Sequence, residues 1–335
     1  MEKLTPSEKL DRLDRIGLAN LPTPVYRMNV SRDLGKNVWI KRDDFTGAEM
    51  SGNKVRKLEF SIARAMKEGA DVLITAGGIQ SNHARATAAA AARLGLSSHL
   101  VLSVSKPPKA EGNYLLDRMF GAEITLLDEN GGVTLSEKME QVAEAYRKEG
   151  RRPYIIPVGA SNGVGNFGYL NAVREIMVQE QEKGVTFDAI VCAVGSGGTY
   201  SGLYLGNRLF GLGRRIVGIT VCDNAAYFTK VCGTIVDETL AYLEEGPDEE
   251  KSFTFIDGYK GLGYAISKAD ELEFIAQIAA KEGIVLDPVY TGKAFYGLYS
   301  EIKKGTFDGC ENILFIHTGG QYGLFPKQEQ MAEVL

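Results

Sequence analysis

The chain has 335 residues, 44% apolar and 24% charged, with a net charge of −5; these values exclude a disordered or fibrous chain and a general nucleic-acid binder. At about 150 residues per domain, the length predicts two folding units. Glycine is in excess, with 39 residues against a usual share of about 7% and no Gly-X-Y period, which points to tight turns or to backbone lying close to a ligand.

The first fifteen residues are charged throughout and predict no secretory signal. From residue 37 onward, short β-branched runs alternate with helical patterns. The predicted strands are 37–43, 71–76, 98–104, 122–128, 153–158, 187–194, 215–221 and 311–318. Several are apolar on both faces, as parallel strands covered on both sides must be. Val55, Leu58, Ile62 and Met66 recur at helical spacing and predict a helix over 54–67. A second helix is predicted over 82–94, with Gly95 as its C-terminal cap. This alternation is the pattern of open α/β sheets. The Pro157–Gly168 stretch predicts a hinge between two α/β groups, and the acidic 244–251 segment predicts a solvated loop. No apolar run approaches the roughly 18 residues of a membrane span. The four cysteines lack zinc spacing and read as reduced thiols of a cytoplasmic protein. With three histidines, no metal centre is expected.

Four clusters with chemical potential sit at strand-to-helix junctions, where open α/β sheets bind ligands. In the first, Lys54 opens a helix with Arg56 and Lys57 beside it, cationic neighbours that disfavour its charged form. A neutral amine is what Schiff-base chemistry needs; the alternative is a solvated basic face. Lys57 shares the face of Lys54 and could reach an anion. The second cluster runs from Thr75 to His83. Ser81 and Asn82 there suit either a helix cap or a carboxylate site on free helix N–H groups. The third, Gly195-Ser196-Gly197-Gly198-Thr199, is either a turn or a phosphate cradle. It fits neither the dinucleotide fingerprint nor the P-loop, so a small phosphorylated cofactor is favoured. The fourth joins Asp287 to Lys293 with His317 to Gly320. Tyr290 is core or an aromatic plate unless activated, and His317 reads as structural.

Together GNKVRKLEF, GGIQSNHARATAAAAARLG, VGSGGT, LDPVYTGKA and FIHTGG, in this order, resemble the pyridoxal-phosphate enzymes of the 1-aminocyclopropane-1-carboxylate deaminase and D-cysteine desulfhydrase group. The resemblance runs from about Leu21 to the last strand. It implies an α/β fold of the tryptophan synthase β type with two open twisted-sheet domains, a small one over 48–163 and a large cofactor-binding one over 1–47 and 164–335. It implies pyridoxal 5'-phosphate as cofactor, a small amino acid as substrate and a homodimer. Lys54 would hold the cofactor in Schiff-base linkage. Lys57 and the Gly195–Thr199 loop would bind its phosphate, and Asn82 its ring hydroxyl. Ser81, Asn82 and His83 would receive the substrate, Tyr290 would lie against the ring, and Tyr264 would stand opposite the substrate.

Deaminases of this group resemble one another in a Glu after the tyrosine and a Leu in the final histidine–glycine motif. Here Thr291 and Thr318 stand at those places, as in the desulfhydrase branch. A hydroxyl at the ring nitrogen leaves a weaker electron sink than a carboxylate, adequate for expelling a good leaving group from Cβ. The expected activity is therefore carbon–sulfur lysis of D-cysteine to pyruvate, sulfide and ammonia, with Lys54 or a tyrosinate (Tyr290 or Tyr264) taking the Cα proton. L-cysteate lysis, aminocyclopropane-carboxylate deamination and noncatalytic cofactor carriage are the alternatives.

Overall fold

The longest apolar runs become the central strands of two sheets in the computed structural model, which describes residues 4–335. Residues 1–3, part of the charged N-terminal stretch and of the predicted large domain, lie outside the described residues. The strands are β1 (Val25–Arg27), β2 (Asn37–Lys41), β3 (Val72–Gly78), β4 (Ser97–Val104), β5 (Glu123–Asp128), β6 (Pro153–Ile155), β7 (Ala189–Val194), β8 (Arg215–Thr220), β9 (Thr254–Ile256) and β10 (Asn312–Ile316). The helices are α1 (Pro6–Asp11), α2 (Ser31–Leu34), α3 (Lys54–Lys67), α4 (Asn82–Leu94), α5 (Gly112–Met119) and α6 (Leu135–Lys148). After them come α7 (Gly163–Lys183), α8 (Gly198–Leu209), α9 (Ala225–Tyr242), α10 (Ala269–Glu282), α11 (Thr291–Lys303) and α12 (Gln328–Ala332).

One sheet has the order β1-β2-β10-β7-β8-β9, the other β5-β4-β3-β6. Apart from the antiparallel β1–β2 pair, every pairing is parallel. In register, Ile313 meets Val38 on one side and Ala189 on the other, which places β10 inside the larger sheet. That sheet is covered on both faces: one core gathers Phe187, Ile190 and Leu314 with α7 and α8, the other Val191, Ile219 and Phe315 with α10 and α11. The two-sided apolar runs are thereby explained.

All eight predicted strands form, and α3 and α4 take the predicted ranges. Gly95 closes α4 in the left-handed conformation (φ 71°), which only glycine adopts without cost. Three differences have physical causes. β1 and β9 are three-residue edge strands, too short for alternation to reveal. The 153–158 run ends at Ile155 because Pro157 cannot donate to a ladder, and a 3-10 turn over Val158–Ala160 follows. The second half of the Pro157–Gly168 stretch, where a hinge was expected, is the start of α7. Its glycines serve close packing instead, since a Cβ on Gly168 would strike the backbone of Arg56 on α3.

Strand β7 runs into the Gly195–Gly197 loop and β3 into the loop before α4, so the strand ends of both sheets deliver their glycine clusters to one place. The acidic 244–251 segment is a loop whose Asp248 pairs with Arg208 at 2.8 Å. All four cysteines are unpaired, with Cys192 and Cys232 buried. Among the described residues no helix is long and apolar enough to cross a membrane.

Candidate active site

A cavity of about 400 Å³ lies between the two sheets. Lys54, Gly77, Ser81, Asn82, Gly195 and Tyr290 line it, with further lining from Ser196, Gly197, Thr199, His83, Tyr264 and Thr318. Residues from four widely spaced stretches of sequence thus converge on one volume.

Lys54 is the first residue of α3. Burial lowers its amine to about 8, because a cation removed from water loses hydration. The expected cause was the neighbouring cations, and here the structure corrects the expectation. Arg56 points away, donating to Asp43 at 2.8 and 2.9 Å and to Glu175 at 2.9 Å, while Lys41 joins Glu175 at 2.5 Å. The guanidinium is neutralised by two carboxylates on the far side of the helix.

Lys57 lies beneath the glycine loop. Its Nζ donates to Gly159 O at 3.1 Å and Ser161 Oγ at 3.2 Å, and burial together with Lys54 pushes its amine well down. A Cβ on Gly198 would come within 2.7 Å of that Nζ and 2.8 Å of Ser161 Oγ. Gly197 takes φ 84°, so the loop wraps tightly before α8 begins. The backbone N–H groups at the start of α8 suit a small anion, as the N-termini of helices do. Asn53 braces this helix start from α3, donating to Thr199 Oγ1 at 2.8 Å. Gly198 and Lys57 support it from behind the cavity wall.

Across the cavity, Ser81 caps α4, its Oγ accepting from Ala84 N at 3.1 Å. Its two sequence readings are therefore compatible, for the same residue caps the helix and lines the cavity. Asn113 determines how Asn82 is turned. Arg85 has donors only, and its Nε donates to Asn113 Oδ1 at 2.8 Å. Asn113 Nδ2 then donates to Gln80 O at 2.8 Å and Asn82 Oδ1 at 2.9 Å. With its oxygen so engaged, Asn82 keeps its amide N–H groups for the cavity. Arg85 also donates to Glu49 O and, at 2.9 Å, to Ser51 O, tying the segment before Lys54 to α4.

His83 is 2% exposed. Thr75 gives its hydroxyl proton to Ile156 O at 2.7 Å, so His83 Nε2 donates to Thr75 Oγ1 at 2.8 Å. Burial, with Lys54 and Lys57 nearby, holds the imidazole neutral; it brings no charge to a substrate. His317 is structural as expected, with Nε2 donating to Val285 O at 3.1 Å and Nδ1 accepting from Gly319 N at 3.2 Å.

Tyr290 precedes α11, and its hydroxyl lies 2.6 Å from that of Tyr264. Burial raises both phenols. Asp287 fixes this corner, accepting from Val289 N and Tyr290 N at 2.9 Å and from Thr291 N and Thr291 Oγ1 at 2.7 Å. Thr291 is fully buried and faces Asp287 rather than the cavity, so of the two threonines expected near the ring only Thr318 lines it. Ser161 and Asn113 carried no motif signal in the sequence, while Asn53 sat in a quoted motif without a role assigned to it. Asp287 sat in a quoted motif, where its spacing from Thr291 suits a helix cap.

A desolvated amine facing a glycine-built loop, with a helix N-terminus opposite, is the arrangement that Schiff-base chemistry on a phosphorylated aldehyde cofactor calls for. The donor set fits pyridoxal phosphate: one amine, one glycine-rich helix start and the Asn82 amide line the same cavity. Residues 16–319 match the pyridoxal-phosphate dependent enzyme family. The chain belongs to that family, and pyridoxal phosphate is its cofactor. It is 44% identical over 330 residues to a bifunctional D-cysteine desulfhydrase/1-aminocyclopropane-1-carboxylate deaminase of Arabidopsis thaliana, covering 95% of this chain and 81% of the relative. A D-cysteine desulfhydrase of Klebsiella pneumoniae is 39% identical, with 95% and 97% covered. The crystal structure of an aminocyclopropane-carboxylate deaminase homologue superposes with a TM-score of 0.92 at 39% identity, over 99% of this chain and all of that one. The protein is a pyridoxal-phosphate-dependent lyase of the deaminase/desulfhydrase type.

Proposed function

We propose that the chain eliminates a good leaving group from Cβ of a small amino acid, D-cysteine foremost, yielding pyruvate, sulfide and ammonia. The observation that carries this is Thr318, and no carboxylate, at that position of the cavity lining, with Thr291 turned to Asp287. The bound cofactor supplies the electron sink. The carboxylate of the substrate is received by Ser81, Asn82 and the N–H groups opening α4, with His83 a neutral ring beneath them. Lys54 Nζ takes the Cα proton; the electron pair left at Cα forms the Cα–Cβ double bond as the Cβ–S bond breaks and sulfide departs. Lys54 releases 2-aminoacrylate, which water converts to pyruvate and ammonia. Both phenols are held protonated by burial, which favours the amine over a tyrosinate as base. Tyr290 would lie against the cofactor ring and Tyr264 would close the substrate side, while Gly195 to Thr199, with Lys57 behind them, would hold the phosphate.

The same reading makes 48–163 a small domain over a large one formed by 1–47 and 164–335, paired as a cytoplasmic homodimer. The unpaired cysteines support a reducing compartment. Incubating the holoenzyme with D-cysteine, L-cysteate and aminocyclopropane carboxylate, and scoring sulfide, sulfite and keto acid, tests the activity. Sulfide from D-cysteine supports it. Sulfite alone would favour a sulfo-lyase, keto acid from the cyclopropane alone a deaminase, and tight cofactor binding without turnover a carrier.

A further inference from the structure

Lys293 lies in the first turn of α11 and is 1% exposed. A buried ammonium needs a partner for each of its three N–H groups. All three of its partners are backbone carbonyls: Lys260 O at 2.8 Å, Gly263 O at 2.8 Å and Ile266 O at 3.1 Å. These belong to one loop, the loop that brings Tyr264 to the cavity. Burial lowers the affinity of Lys293 for its proton, while Glu271 and Asp287 oppose that shift.

Besides these bonds, the loop is tied through the Tyr264–Tyr290 hydroxyl contact at 2.6 Å and, just past it, through Ser267 Oγ donating to Pro288 O at 2.7 Å. Leu262 is 70% exposed and Ile266 52%, so no apolar side chain ties either of them to a core. Its own backbone closes only through Leu262 N to Ile266 O at 3.1 Å and Ile266 N to Gly263 O at 3.2 Å. Ala265 sits at φ 57°, a conformation that costs a non-glycine residue about 1 kcal/mol or more. A strained, exposed segment holds one shape only when something fixes it. Lys293 makes the largest set of bonds that does so, three to the loop backbone. Because Tyr290 directly precedes α11, a single helix end places both hydroxyls of the 2.6 Å pair.

We propose, on the reading that Tyr264 faces the substrate, that Lys293 is a positioning residue for the substrate side of the site. It acts through the backbone of the 260–266 loop and touches neither substrate nor cofactor.

The test uses holoenzymes carrying Lys293→Met, Tyr264→Phe and both changes. D- and L-alanine, amino acids with no leaving group, are titrated, and the change in the visible cofactor band gives the half-saturating concentration. Lys293→Met should raise that concentration about tenfold, the loss of one to a few hydrogen bonds. Tyr264→Phe should raise it as well, and the double variant no further than the larger single effect. Trypsin should cut after Lys260 or Lys268 faster in Lys293→Met than in the parent, while the band without alanine stays in place. Lys293→Gln, which retains two donors, should fall between parent and Met, and carries the test if the Met variant fails to fold. Unchanged half-saturation and unchanged proteolysis in Lys293→Met would overturn the proposal. So would additive effects, or a Tyr264→Phe variant that binds alanine like the parent. Because alanine binding needs no turnover, a failure of the elimination activity would leave this readout intact.

Discussion

The hydroxyls of Tyr264 and Tyr290 lie 2.6 Å apart across the mouth of the cavity, and one donates to the other. The two rings meet edge-on, their centroids 6.1 Å apart at 66°. Burial raises both phenols above their ordinary range, so the pair holds its protons at neutral pH, which on the proposed mechanism makes it an orienting pair.

Replacing Tyr290 with Phe should therefore lower turnover about tenfold, roughly the worth of one buried hydrogen bond. The visible cofactor band should survive, because the amine that holds the cofactor is untouched. A loss of turnover of a thousandfold or more would instead identify Tyr290 as the base. Steady-state kinetics and an absorption spectrum of the same sample decide between them.

The Lys54 amine, lowered to about 8 by burial, must be neutral to attack the cofactor aldehyde. The rate at which apoprotein takes up pyridoxal phosphate should climb about tenfold per pH unit below 8 and level off above it. Stopped-flow absorbance between pH 6 and 9 measures this. Lys54→Ala should abolish the visible band at every pH.

Asn113 offers a donor to Asn82 only because Arg85 occupies its oxygen. In Asn113→Asp, Arg85 keeps an acceptor but Asn82 meets one too, and its amide should turn over. The cavity would then face a carbonyl oxygen where it now meets N–H groups. Cofactor affinity should fall about tenfold, measured by titrating apoprotein. In an Asn82→Ala background the same change should have no further effect.

Asp117 is fully buried, and neither of its oxygens has a hydrogen-bond partner among the described residues. Burial pushes its carboxyl up to about 8, against the pull of Arg85. Between the ordinary carboxylate range and pH 8 the folded chain therefore holds a proton that the unfolded chain releases, and stability falls as pH rises. Asp117→Asn should be the more stable variant at pH 8, by about 2 kcal/mol or more, with the difference vanishing toward pH 4. Denaturant melts at the two pH values test the sign.

The architecture was legible wherever a signal lies within one stretch of chain. Long two-sided apolar runs such as 187–194 announce central parallel strands, and the helical spacing of Val55, Leu58, Ile62 and Met66 in α3 and the Gly95 cap of α4 announce helices. The glycine clusters were legible because backbone close to an anion tolerates no side chain. What escaped depends on partners far apart in sequence. Nothing near Arg56 reveals that Asp43 and Glu175 will neutralise it, so its influence on Lys54 was misjudged. Asn113 and Lys293 act through hydrogen bonds that exist only once α5 and α11 are in place. In the Pro157–Gly168 stretch, read as a hinge, glycine alone was ambiguous, because close helix packing and flexibility select the same residue.

Helix α3 carries Lys54 on one face and Arg56 on another, two residues apart, the second locked to Asp43 and Glu175. An α-helix advances about 100° per residue. The ion network therefore sets the compass bearing of the amine: a single residue inserted between the two would swing Lys54 about a quarter-turn out of the cavity while every strand stayed where it was. Substitutions can retune the walls of this site, but the spacing of that first turn has no slack.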